Sequence, residues 1–397
     1  MAGETIVMET YDVAVIGAGI HGAGVAQAVA AGGHSVLVFE QNGIASGTSS
    51  RSSKLIHGGL RYLESRQLGL VRECLNERRL LLRLAPELVR LVPFFIPIYH
   101  QTRRRPWQLH IGLSLYRWLS GDPSGRYGTV PRSRWPDLDG ITTSGLESVF
   151  RYHDAQTDDA ALTRAVVQAA QELGADLRVP ARFSSVELEP HGCLIEYQEN
   201  GQTQCCRAAV LVNAAGPAVN QILGRCLPQP APEAIELVQG THIVLDAPFR
   251  QGCYYIEAPH DGRAVFVMPW QSDRLLIGTT EVGIPEGAEP TPTEAEIAYL
   301  QETASHYFPA LGACAVSEAF AGARVLPAGD GHAFGRPRDT RLVTDREDKP
   351  RMLTIYGGKL TAYRITAEKV MAQIAPSLPE RDAVADTRTM PLRPAGG

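Results

Sequence analysis

Gly17, Gly19 and Gly22 stand in a GxGxxG pattern, and the acid Glu40 follows at about the 20-residue distance of a ribose-binding carboxylate. These residue types allow one chemistry in particular, the holding of a dinucleotide. Gly17 permits a tight turn, Gly19 lets a pyrophosphate approach the backbone beside Ile20, and Gly22 lets a helix pack closely on a strand. A carboxylate at Glu40 favours ribose hydroxyls over a 2′-phosphate, so FAD or NAD is expected rather than NADP. A second chemical stretch follows, with Thr48, Ser49, Ser52, Ser53, Lys54, Leu55 and His57 running into a glycine pair. Small hydroxyls of this kind suit a backbone lying flat along an extended cofactor. A third lies near the C-terminus, where Gly358, Lys359, Leu360 and Thr361 make a glycine turn into a helix start. The positive end of that helix suits negative charge.

The elements around these residues are legible. Residues 12–16 are a continuous apolar run of strand length, as a parallel strand covered on both faces requires. The glycines follow at once, then a run of small helix formers (25–31), two glycine breakers, and a second apolar strand (35–39) ending in Glu40. Strand, turn, helix, strand and acid in that order form a βαβ unit, which makes the glycine pattern specific. Further on, 158–174 reads as a helix with acids at its start and a glycine stop. Strands are expected at 183–188, 193–197 and 209–213, the last running into Ala215 and Gly216, and Val186, Ala215 and Gly216 are expected cofactor contacts. Residues 242–246, 264–270 and 274–280 read as antiparallel strands, 285–292 as a loop, and 293–308 as a helix capped by Thr291 or Thr293.

The segments 52–64 (SSKLIHGGLRYLE), 240–245 (GTHIVL), 277–281 (IGTTE), 322–326 (GARVL) and 357–364 (GGKLTAYR) together resemble FAD-dependent glycerol-3-phosphate dehydrogenases, of the D-amino-acid oxidase-like flavoprotein superfamily. The resemblance runs in order along essentially the whole chain. It implies an α/β, two-domain fold. A Rossmann-like FAD-binding domain would take residues 10–80, 150–230 and 340–380. An antiparallel-sheet substrate domain would take 81–149 and 231–339, leaving 381–397 as a tail. It implies FAD as cofactor and oxidation of glycerol 3-phosphate to dihydroxyacetone phosphate, with electrons passed to quinone or another acceptor. Arg61, Arg324 and Arg338 map onto the family's substrate pocket, with Tyr62, His242 and Lys359 as further contacts. Arg336 and Arg341 stand as alternatives to Arg338. Arginine forks suit phosphate oxygens, and His57 and His242 are the candidate proton acceptors. Two other readings compete: an amine or 2-hydroxy-acid oxidase of the same superfamily, and a non-catalytic flavin-binding protein. The family commonly continues into a helical C-terminal domain near residue 390, which this chain is expected to lack.

Of the 397 residues, 44% are hydrophobic and 20% charged, ordinary for a globular protein, and the net charge of −5 gives no sign of a nucleic-acid partner. The seven cysteines are scattered without metal spacing and read as reduced thiols, so no metal is expected. Residues 1–10 lack the charged and apolar regions of a signal peptide and read as a short leader. No run is long enough to span a membrane. Residues 80–119, however, combine leucines, Arg103, Arg104, Arg105, Trp107 and Trp118, the composition of an interfacial contact or of a core helix and a loop with solvated arginines. The expected location is cytoplasmic, with a peripheral seat on the inner face of the cell membrane compatible with that segment. The resemblance leaves room for monotopic membrane contact and for a homodimer.

Overall fold

The computed structural model describes residues 8–63, 67–121, 126–328 and 340–395, and side chains throughout these except those of Arg61 and Tyr62. Two large sheets organise it.

The first begins with β1 (Glu9–Ile16), whose last four residues are fully buried. It passes through the glycine turn into α1 (Ile20–Ala31) and back into β2 (Val36–Phe39), parallel to β1. On the other side of β1 lies the parallel strand Gln202–Asn213, which in turn pairs with Met352–Tyr356. The antiparallel strands Ala181–Glu189 and Gly192–Glu199 extend the sheet. Helices α1, Asp159–Glu172 and Tyr363–Ile374 cover one face, where Val13, Val25, Val29, Val36, Ala170, Leu353 and Val370 form one core. The other face buries Leu37, Phe39, Phe183, Tyr197 and Leu211. Both faces are covered, which is why these strands read as continuous apolar runs. Close approach of α1 to β1 depends on Gly22, where a Cβ would lie 1.9 Å from the Gly17 carbonyl oxygen.

The second sheet is mostly antiparallel. Its central strands are Ile235–Leu245, Arg274–Gly278, Ala264–Trp270, Cys253–Glu257, Val89–Tyr99 and Leu146–Thr157, with Val316–Pro327 paired on Ile235–Leu245. The helix Glu294–Tyr307 packs beside it. Thr293 is its cap, in a box with Glu296. The runs expected as strand 264–270, strand 274–280 and helix 293–308 are present with shifts of at most two residues at their ends, and the strand expected at 242–246 begins seven residues earlier, at Ile235. Residues 80–119 differ from the helix-and-loop alternative. Leu80, Leu81 and Leu82 end the helix Leu68–Leu84, and Val89–Tyr99 is an eleven-residue strand despite Pro93 and Pro97. The arginines precede the helix Pro106–Ser120. That helix buries Leu109, Leu113 and Tyr116 and exposes Trp107, Ile111 and Trp118 by 63%, 61% and 75%. No described helix is long and apolar enough to cross a membrane.

Candidate active site

A cleft of about 460 Å³ is lined from both sheets. On the first sheet's side are Gly17, Gly19 and Ile20 of the turn, then Glu40 at the end of β2. Both oxygens of the Glu40 carboxylate are engaged. One accepts from the Ala18 N–H at 2.9 Å and the other from the Asn42 N–H at 2.8 Å, so the acid braces the glycine turn as well as facing the cleft. Thr48, Ser49, Ser52, Ser53, Leu55 and His57 line the next stretch. Ser49 Oγ accepts from the Ile20 N–H at 2.8 Å, at the start of α1. Ala215 and Gly216 contribute the end of Gln202–Asn213, and Gly358, Lys359, Leu360 and Thr361 contribute the C-terminal turn. In that turn Gly357 and Gly358 have φ of +71° and +116°, a conformation suited to glycine. Thr361 Oγ1 accepts from the His57 N–H at 3.1 Å, joining the two segments.

The second sheet supplies His242 and Arg324, both on the cleft wall. His242 is 2% exposed; its Nε2 lies 2.9 Å from Ser53 Oγ, and its ring stacks on Phe320 with centroids 5.3 Å apart. Burial, followed by the Arg324 and Lys54 cations, pushes its pKa down to about 3, so the imidazole is neutral at physiological pH. Arg324 donates from Nη1 to Glu281 Oε1 at 3.2 Å and from Nη2 to the Thr280 carbonyl at 3.0 Å. Gly240 makes room for it, since a Cβ there would come within 2.5 Å of Nη2. A charge on an apolar strand needs an anionic partner, and Glu281 is an internal one that the linear sequence did not single out. His21 was also missed. It lines the cleft at the start of α1, and burial pushes its pKa down to about 4.

Three of the residues expected to face the cofactor lie off the cleft lining. Gly22 is behind the turn, packed on Gly17. Lys54 turns its ammonium into the interior, to Asp159 Oδ1 at 2.5 Å and the Ser50 carbonyl at 2.5 Å. Val186 is buried in the core on the sheet's far strands, paired with Ile195 and Cys226. Arg61 and Tyr62 belong to the helical turn Leu60–Leu63, but their side chains lie outside what is described, and Arg338 lies outside the described residues. The glycine turn, the braced acid, the hydroxyl segment and a cleft reaching both sheets together fit FAD.

Residues 12–364 match the family model described as FAD dependent oxidoreductase. The chain is 36% identical over 383 residues to a D-erythritol 1-phosphate dehydrogenase of Brucella abortus, covering 94% of this chain and 75% of that protein. It is 37% identical over 379 residues to a glycerol-3-phosphate dehydrogenase of Pseudomonas aeruginosa, covering 93% and 72%. Among solved structures, the glycerol-3-phosphate dehydrogenase of Bacillus halodurans complexed with FAD superposes with a TM-score of 0.76 at 25% identity, covering 96% of this chain and 68% of that one. In sequence and in fold, the chain belongs to the FAD-dependent oxidoreductase family, with FAD as its cofactor.

Proposed function

We propose that the protein oxidises the secondary alcohol of a small phosphorylated polyol to a ketone, glycerol 3-phosphate to dihydroxyacetone phosphate foremost. The observation that carries this reading is the meeting of Arg324 and a neutral, buried His242 on one wall of the FAD cleft. FAD, when bound, supplies the hydride acceptor. The first turn of α1 would hold its pyrophosphate, Glu40 a ribose, and the 358–361 turn with Lys359 the negative edge of its ring. Arg324, held in plane by Glu281 and the Thr280 carbonyl, presents its fork to the phosphate. The sequence resemblance adds Arg61, Arg338 and Tyr62 as further substrate contacts. His242 is the proton acceptor in this reading, with the Ser53 hydroxyl 2.9 Å from its Nε2. A phosphate dianion beside Arg324 offsets that cation and raises the basicity of His242 as substrate binds. His57 remains the second candidate acceptor.

The relative from Brucella abortus is named for D-erythritol 1-phosphate, a longer polyol phosphate, and its identity to this chain is equal within one per cent to that of the glycerol-3-phosphate dehydrogenase. That favours a second reading differing only in chain length. Anaerobic titration of the flavin-loaded protein separates the possibilities. Glycerol 3-phosphate or D-erythritol 1-phosphate is expected to bleach the flavin absorbance near 450 nm. Bleaching by sarcosine or L-2-hydroxyglutarate alone would remove the phosphate assignment, and bleaching by none would favour a non-catalytic flavin protein.

Electrons then pass to a quinone or another acceptor. Contact with a membrane surface runs through the helix Pro106–Ser120, whose exposed Trp107, Ile111 and Trp118 stand near Arg103, Arg105 and Arg117. The protein is expected to sediment with anionic phosphatidylglycerol vesicles and to lose that binding in a Trp107→Ser/Trp118→Ser variant. Undiminished sedimentation would move the contact elsewhere.

A further inference from the structure

His242 is held by groups that lie outside the cleft. The turn before it in space, residues 50–54, carries Ser53 at its centre, and Lys54 there adopts a left-handed φ of +59°. A non-glycine residue keeps that conformation only where its surroundings enforce it. Asp159, fully buried, supplies the enforcement. Its Oδ2 accepts from the Ser52 N–H at 2.9 Å and the Ser52 hydroxyl at 2.6 Å, and its Oδ1 accepts from Lys54 Nζ at 2.5 Å. One carboxylate thus grips the residue on each side of Ser53, and Ser53 Oγ lies 2.9 Å from His242 Nε2. The lysine has a second reach. Its ammonium sits 5.3 Å from the Phe320 ring centroid and 5.4 Å from that of Trp270, and Phe320 is the ring on which His242 stacks.

Helix capping accounts for one bond of Asp159, whose Oδ1 accepts from the Ala160 N–H at 2.9 Å, and not for the others. The cap of Asp159–Glu172 is Asp158, which accepts from the Ala161 N–H at 2.9 Å. Stability does not account for the pair either, because a buried ion pair is often replaceable by apolar groups without loss. What the pair does touch, on both of its sides, is the support of one imidazole.

We propose that Lys54 and Asp159 are a positioning pair for His242, fixing the Ser53 hydroxyl and the Phe320 platform that orient the ring. The proposal rests on His242 being the proton acceptor. The charged groups around the ring are Lys54 from the 50–54 turn, backed by Asp159, and Arg324 from Val316–Pro327, backed by Glu281. Both cations oppose protonation of His242, in addition to the larger effect of its burial.

The test uses the flavin-loaded protein with Lys54→Met and Asp159→Asn combined, which removes both charges while retaining bulk over Phe320 and an acceptor for Ser52. Flavin is expected to stay stoichiometric. The His242 titration followed by proton NMR should move up by about one pH unit, and the acidic limb of kcat/KM should move with it. Flavin-loaded double variant in which neither midpoint moves would overturn the charge effect. Ser53→Ala, which leaves the ion pair in place, carries the orienting half and decides if the double variant does not fold. It should lower kcat about tenfold with KM unchanged and alter the nitrogen-15 shifts of His242. Unaltered shifts and kcat would overturn the positioning role. A His242→Gln variant with the wild-type pH profile would instead sink the assignment of His242 as acceptor, while the NMR titration in the wild type and double variant would still judge the pair's hold on the ring.

Discussion

Gly22→Ala is expected to purify without flavin and to melt well below the wild type. The added Cβ would stand 1.9 Å from the Gly17 carbonyl oxygen, 3.0 Å from the Gly17 carbonyl carbon and 3.4 Å from Val15 Cγ1. Two of those three atoms are backbone, so no rotamer change relieves the contact. Either α1 lifts from β1 or the Gly17 peptide rotates, and each displaces the glycine turn that lines the cleft and is proposed to hold the pyrophosphate. Lifting α1 also opens the core that Val25 and Val29 share with Val13 and Val210. Overpacking of a rigid core costs about 1–3 kcal/mol, and a clash with backbone belongs at the upper end. Gly19 is a milder site in the protein itself, since its Cβ would meet only the Ser49 hydroxyl at 3.1 Å. Gly43→Ala is the control, because a Cβ there meets nothing within 4 Å. The ratio of absorbance at 450 to 280 nm and a thermal melt read both effects. Stoichiometric flavin in Gly22→Ala would mean that the clamp between α1 and β1 is slack.

That same local tightness explains why this part of the fold was legible from the sequence. Between β1 and β2 every requirement is local: a strand covered on both faces must be continuously apolar, the close turn must be glycine, and the acid must stand at the strand end. The strands of the second sheet at 264–270 and 274–278 and the Thr293 cap were legible for the same reason. Val89–Tyr99 was not, because Pro93 and Pro97 punctuate it as if it were a loop. Its strand character comes from its pairing with Leu146–Thr157 along its whole length, which no local pattern encodes. In the cleft, spacing brought forward Glu40, and motif resemblance brought forward His242 and Arg324. Neither gave a role to Glu281, which ends the 277–281 motif, or to Phe320 or Asp159; Glu281 meets Arg324 from 43 residues away and Asp159 meets Lys54 from 105 residues away. Lys54 read as a cofactor contact because it stands in the small-hydroxyl stretch that suits a backbone lying along the cofactor. Its partner Asp159 is invisible at that separation, and the pairing turns the ammonium inward. Val186 carried no physical mark of its own beyond membership in an apolar strand.

Arg324→Ala should lower kcat/KM for glycerol 3-phosphate by about 10²- to 10³-fold while leaving flavin bound. The guanidinium is planar and is fixed by Glu281 on one nitrogen and the Thr280 carbonyl on another, so its plane is preorganised on the cleft wall. A charge-assisted hydrogen bond contributes about 1.5–3 kcal/mol, and 1.4 kcal/mol is a tenfold change. Two such bonds would contribute about 3–6 kcal/mol, but the side chain is a quarter exposed, so solvent screening places the effect at the lower end of that, about 3–4 kcal/mol. Arg324→Lys is expected to recover little, since an ammonium cannot both hold Glu281 and present a fork. The pH profile adds a second signature. Arg324 is a cation beside His242 and, after burial itself, the larger of the two charges that hold its pKa near 3. Removing it raises that pKa, so the variant's His242 protonates at higher pH than the wild type's. The loss in kcat/KM should therefore deepen as pH falls below about 6, between the ordinary histidine value of 6.5 and the wild-type value of about 3, with the acidic limb displaced upward. Unchanged kcat/KM with intact flavin would place Arg324 outside the substrate's reach. A uniform loss with no displacement of the limb would keep the phosphate contact and remove His242 from the reaction, because a base whose charge environment has changed cannot titrate as before.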